Sequence, residues 1–314
     1  MEDLRLRRLK FRDLHILDAV AEAGSMAKAA PRLGMSQPAV SRVVADMEHL
    51  LGVPLFDRTS TGVELTRFGR ALRRRTISVT DELTQGLSEL TFLADPTQGQ
   101  IRIGTTEPMT ALTATIIQNI SQAYPKIGFV ISADDTLGLH ERLRQREIDI
   151  AVTRMAADFD RYEDLAGEAL FEDELAVIAG KHNPLVRRKN VTLRSLMNER
   201  WLLGRPVTSF LRPFIEEAFR AEGLSVPAAT VTCGSYAMQV NMLAAGPFLT
   251  ILPRATLRYP APHPTLVPLR VRMPSTRRPV GLVRLKHRHV SPTVSLFCGA
   301  AREAAAKMRG RAAS

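Results

Sequence analysis

Residues 24–52, GSMAKAAPRLGMSQPAVSRVVADMEHLLG, read as two short helices joined by a tight turn. Ser25 is placed to cap the first, and Met26, Ala27, Ala29, Ala30 and Leu33 give it a small apolar body. Gly34 supplies the turn between the helices. Ser36 is placed to cap the second, with Pro38 in its first turn, where no backbone N–H is missed.

At roughly 100° per residue the second helix divides into two faces. Ala39, Val40, Val43, Val44, Met47, Leu50 and Leu51 fall on one side. Gln37, Pro38, Ser41, Arg42, Ala45, Asp46, Glu48 and His49 fall on the other. Gln pairs with adenine, Arg with guanine, and Ser with a base edge or a phosphate. A recognition helix enters the major groove N-terminus first, which is where Gln37, Ser41 and Arg42 lie. An ordinary amphipathic helix with a solvated face gives the same local pattern. Beyond it, Gly52–Arg58 and Val63–Gly69 flank the turn Thr59-Ser-Thr-Gly62, a short hairpin that reads as a wing with an arginine at its edge.

Together, GS…AA…L…SQPAVSR, the leucine-rich helix end, LG…LFDR and LT..G closely resemble the LysR-type transcriptional regulators. The motif spans about a fifth of the chain. One departure, Met47-Glu48 for the family's Leu-Glu, conserves volume. The resemblance implies a DNA-binding protein, not an enzyme, with Ser25, Ser36, Gln37, Pro38, Ser41, Arg42, Arg58 and Arg67 as candidate DNA contacts. Implied partners are double-stranded DNA with an interrupted-palindrome operator, a small-molecule effector, further copies in a homodimer or tetramer, and RNA polymerase. No cofactor, metal or membrane partner is expected.

Composition bounds these readings. The chain has 314 residues, 45% of them hydrophobic and 24% charged, which suits a globular protein of two or three domains. Cys233 and Cys298 are too few and too distant in sequence for a disulfide framework or a metal cluster. The start, MEDLRLRRLK, has no apolar signal core, and no apolar run reaches membrane-spanning length, so a cytoplasmic location is expected. The net charge of +11 points at first to the wrong end of the chain. Up to Phe92 there are 14 basic against 12 acidic residues, whereas from Arg254 onward there are 13 against one. Two local clusters remain near the motif: Arg5, Arg7, Arg8, Lys10 and Arg12, then Arg67, Arg70, Arg73, Arg74 and Arg75. Either suits phosphate contacts or plain solvation.

In chain order, Lys10–Glu22 reads as a bracing helix with Leu14, Leu17, Val20 and Ala21 inward. Thr66 to Leu93 reads as one long helix. Leu65, Leu72, Val79 and Leu93 fall on a seven-residue repeat, and Thr76, Leu83 and Leu90 form a second seam. Such a pattern wants a partner helix. Ala94-Asp-Pro-Thr-Gln-Gly99 is a hinge by composition. Strand and helix patterns then alternate, so a mostly parallel, doubly wound sheet is expected. Crossovers near 166–172 and 268–272 predict two lobes similar to periplasmic binding proteins. The expected division is a winged helix-turn-helix over 1–69, a linker helix over 66–93 and an α/β effector domain over 100–314. Lobe one would take about 100–168 and 270–314, and lobe two 169–269.

In such sheets ligands sit at the carboxyl ends of strands. That rule selects Thr105, Thr106, Asp134, Asp135, Arg154, Thr208, Ser209 and Gly234 as candidate effector contacts, with Glu107 and Arg205 beside them. Any one of these also reads as a helix cap or turn residue. Their chemistry favours a polar organic acid, a sugar or a sugar acid. No GxSxG elbow, Walker loop, GxGxxG after a strand, HExxH or Cys-x-x-Cys is present. The competing reading is a two-lobed small-molecule receptor without ligand-dependent regulation, which leaves the first 92 residues unexplained.

Overall fold

The computed structural model describes residues 8–156, 158–204, 210–257 and 263–312. They form two compact units that divide within a long helix, between Leu87 and Ser88.

The first unit contains helices α1 (Phe11–Ala23), α2 (Met26–Arg32) and α3 (Gln37–Leu51), then the hairpin β1 (Phe56–Thr59) and β2 (Gly62–Leu65). It ends in α4 (Arg67–Ala94). Gly34 has φ +61°, the left-handed conformation that lets α2 turn into α3 without strain. Ile16, Leu17 and Val20 of α1 pack with Ala29, Val40, Val44 and Met47 in one core. Leu14 and Ala21, expected inward, are only half-buried, and Ile16 takes the central place. Glu48 locks the wing to the end of α3, because its Oε1 accepts from Leu55 N (2.6 Å) and Phe56 N (3.1 Å). Gly62, at the wing's tight turn, lies so close to the Gly24 carbonyl that any side chain there would collide with it.

In the second unit Asp95 gathers the expected hinge into a pinned turn. It accepts from Thr97 Oγ1 (2.5 Å) and N (3.0 Å) and pairs with Lys126 Nζ at 2.9 Å. These donors, Thr97 first, hold its carboxyl well below the usual range. Beyond the turn stand two five-stranded sheets. The first contains β3 (Gln98–Thr105), β4 (Lys126–Ala133), β5 (Ile150–Arg154), β6 (Leu165–Asp173) and β12 (Arg278–Leu285), in the order β4-β3-β5-β12-β6. Helices α5 (Thr110–Ala123), α6 (Thr136–Arg144) and the terminal α9 (Pro292–Ala312) belong to this lobe. The second contains β7 (Leu175–Gly180), β8 (Arg200–Leu203), β9 (Ala229–Thr232), β10 (Phe248–Pro253) and β11 (Leu266–Pro268), in the order β11-β7-β10-β8-β9. Its helices are α7 (Arg212–Ala221) and α8 (Tyr236–Ala245).

Each sheet has four of its five strands running in one direction, as expected, and a single strand running against them. In the first, β12 runs antiparallel to both β5 and β6. In the second, β7 runs antiparallel to both β10 and β11. The first expected crossover is largely strand: β6 stays in the first sheet to Asp173, and β7 begins the second at Leu175. The return crossing also shifts, because Leu269, Val271 and Met273 are buried in the second lobe's core and β12 begins at Arg278.

Candidate functional sites

The α3 face reads as expected at its leading end. Gln37, Pro38 and Arg42 are exposed. Ser36 caps the helix, its Oγ accepting from Ala39 N at 3.4 Å. Ser41 is half-buried, and its hydroxyl reaches Met26 Sδ (3.2 Å), which ties α3 to α2. Ser25 stands at the α2 N-cap without a side-chain capping bond. Arg58 is exposed on β1 opposite Val63. Arg67 is exposed at the start of α4 with its guanidinium 4.6 Å from the Phe68 ring centroid.

The two basic clusters differ in kind. Arg8, Lys10 and Arg12 share with Arg42 a groove of about 450 Å³ beside α3, which sequence spacing did not reveal. Arg5 and Arg7 lie outside the described residues. In the second cluster Arg73 pairs with Asp18 at 2.7 Å, and Arg70 donates to Leu65 O at 2.6 Å, so both brace the fold. Of the groove-facing cations Arg12 rests its Nη2 on Met35 Sδ at 3.6 Å, a weaker hold than the carboxylate on Arg73 or the carbonyl on Arg70 for a phosphate to displace.

Between the lobes of the second unit lies a cavity of about 380 Å³. Thr106, Asp134, Asp135, Arg154 and Gly234 line it, as expected, together with Glu107. Thr105 does not face it: its hydroxyl is buried against Thr113 Oγ1 at 2.9 Å, a core contact between β3 and α5. Thr208, Ser209 and Arg205 lie outside the described residues. Asp135 caps α6 by accepting from Gly138 N at 2.8 Å. Asp134 accepts from Arg142 Nε (3.1 Å) and Asp135 N (2.9 Å). A single 3-10 turn, Glu107–Met109, separates β3 from α5, and Glu107 occupies its start. Helix α7 begins at Arg212, beyond the candidate positions 208 and 209.

Arg154 departs most from its expected role. It is buried, donating through Nη1 to Asp173 Oδ2 (3.0 Å) and through Nη2 to Asp173 O (2.8 Å) and Thr276 O (3.0 Å). Asp173 ends β6 and Thr276 lies in the return crossing, so one guanidinium ties both connections between the lobes. Asp173 Oδ1 also accepts from Ala255 N (3.0 Å), and Thr276 Oγ1 from Leu175 N (3.2 Å). Burial opposes both charges, drawing the Arg154 pKa down and the Asp173 pKa up, while their mutual attraction opposes those shifts. An arginine keeps its proton in proteins, so the pair stands as a buried ion pair.

A smaller cavity of about 170 Å³ shares Glu107, Pro108, Leu211 and Gly234 with the larger one. Tyr236 stands in its wall with a phenol pushed up to about 12 by burial and by Glu107. That hydroxyl stays protonated. Among the described residues no group of three or more His, Cys, Asp or Glu is placed to hold a metal ion.

Known proteins match both units. Residues 11–70 match the family model described as "Bacterial regulatory helix-turn-helix protein, lysR family", and residues 94–306 match the "LysR substrate binding domain". The HTH-type transcriptional regulator GbpR of Azospirillum brasilense is 31% identical over 312 residues, covering 96% of this chain and 89% of its own. The crystal structure of CbnR, a LysR family transcriptional regulator, superposes with a TM-score of 0.65 at 20% identity, covering 95% of this chain and 99% of that one. Full-length CbnR in complex with its target DNA gives 0.66 at 20% identity, covering 94% and 100%.

Proposed function

Because this chain belongs to the LysR family of DNA-binding transcriptional regulators, we propose that α3 and the wing read operator DNA while the interlobe cleft binds a neutral, polyhydroxylated small molecule such as a sugar. The family's members are regulators, not enzymes. In this reading Gln37 and Arg42 address base edges, and Arg58, Arg67 and the Arg8–Arg12 cluster address phosphates. Two copies joined through α4 present two such helices to an interrupted palindrome, and RNA polymerase is the downstream partner.

One observation carries the choice of ligand: the charge balance of the cleft wall. Glu107, Asp135 and the Arg142-paired Asp134 line the larger cavity, and both terminal nitrogens of Arg154 are held by Asp173 and Thr276, with only its buried Nε lacking a partner among the described residues. An organic acid or sugar acid would meet carboxylates there, with Arg154 already engaged. Hydroxyl groups can instead donate to the acidic wall and accept from Thr106. Such a ligand acts on transcription only through a difference in affinity between two arrangements of the protein.

A thermal-shift titration of the full chain tests this with neutral hexoses and hexitols against mono- and dicarboxylic acids. A polyol that binds the folded state raises Tm in a concentration-dependent way, by about 2.7 kcal/mol of stability at a hundredfold excess over Kd. Stabilisation by the acids alone would refute the assignment of the cleft.

A further inference from the structure

The two adjoining cavities differ in chemistry. The larger carries Asp134, Asp135 and the Thr106 hydroxyl, and Glu107 stands in the wall of both. The smaller is walled mainly by Leu203, Leu211, Ile215, Val226, Ile251 and Leu252. These come from β8, α7, β10 and the chain around them, so the second lobe's own sheet and helices shape the chamber. Ile215, Ile251 and Leu203 are buried in that lobe's core, which fixes the walls. Gln239 is buried beside them, with its Nε2 held on Cys233 O at 2.8 Å. At about 170 Å³ the chamber is close in size to a ~150 Å³ apolar cavity known to bind benzene.

We propose that the effector is bipartite, a polar head seated in the larger cavity and an apolar arm about the size of one aromatic ring in the smaller. The inference rests on the reading of this cleft as the effector site. Glu107, Pro108, Leu211 and Gly234 form the wall common to both cavities, so a molecule passing them occupies both. Gly234 carries no side chain to block that passage. Tyr236 stands in the chamber's wall with a hydroxyl that stays neutral, and the charged side chains of that wall are Glu107, at the boundary with the larger cavity, and Arg212, whose Nε is held on Glu216 Oε1 at 2.7 Å. The class of ligand this fits is an aryl or short alkyl glycoside rather than a free hexose.

Matched pairs of compounds test the arm separately from the head. The affinity of the full chain is measured by calorimetry for the methyl and phenyl glycosides of each common aldohexose, and for acetate and phenylacetate. The expected result is at least one hexoside whose phenyl member binds ten times more tightly than its methyl member, with that advantage lost in Val226→Phe, which narrows the smaller chamber. Val226→Ala, which removes volume instead, retains it. A tenfold advantage confined to the carboxylate pair would defeat the sugar assignment and leave the bipartite cleft standing. No tenfold difference in any pair on the wild-type protein overturns this inference.

Discussion

At 3% exposure Arg154 cannot serve a ligand as an exposed arginine would, because both of its terminal nitrogens are held within the protein. Position alone, at the carboxyl end of β5, made it a candidate contact. Removing one partner of a buried, hydrogen-bonded ion pair costs about 3–5 kcal/mol, so the tie across the lobes is far stronger than a surface bridge. His140 is the other residue whose burial sets its behaviour. It is 1% exposed on α6, edge-on to Phe159 and Tyr162, and neither ring nitrogen has a partner among the described residues. Burial first, then the nearby Arg144 charge, lowers its pKa from 6.5 to about 4. The folded state therefore resists protonation that the unfolded chain accepts. Stability from this group is full above pH 6.5 and is lost as pH falls from there toward 4, by at most about 1.4 kcal/mol per pH unit. Melting curves of wild type and His140→Phe across that window measure it. The wild type should lose stability more steeply on acidification, and equal slopes would remove His140 from the account.

At the scale of elements, α3 and α4 were legible because each carries a strong helical pattern with recognisable ends. What α4 faces was less so. Leu72 shares the expected seven-residue repeat, yet it packs against the core of its own unit. Thr76 is buried as well. The exposed apolar ridge is Val79, Leu83, Leu87, Leu90 and Leu93, with Leu83 52% and Leu90 64% exposed. Periodicity records a buried stripe but not which partner buries it. Replacing Leu83 and Leu90 by Glu places charges where two linker helices would meet in the proposed dimer, and uncompensated buried charge is costly. Sedimentation should show the dimer lost while the monomer stays folded. A persistent dimer would move association to the second unit. The strands β6 and β11 escaped sequence reading for a related reason. β6, LAGEALFED, interleaves charged with apolar residues at a sheet edge, and β11 is three residues long with a proline as the last of them. Both look like connection until their partners β12 and β7 are in place.

On the scale of the whole molecule, two chemistries are divided between two units, and net charge does not report which does what. The excess of positive charge lies toward the C-terminal end, whereas the exposed reading face of α3 sits in a nearly balanced segment. The candidate cleft was legible as a place, since strand ends and glycine turns could be counted, but not as a charge balance. The pairing of Arg154 with Asp173 and of Asp134 with Arg142 depends on contacts between segments distant in sequence or one helix apart. All of this depends on α3 reading base edges in the major groove. Selection of bound sites from random duplex DNA by the full chain, wild type beside Arg42→Ala, tests it most directly. The wild type should select a two-half-site logo. Arg42→Ala should show relaxed preference at defined base pairs, with a loss of roughly 1–3 kcal/mol there. An unchanged logo for Arg42→Ala would contradict that role of α3.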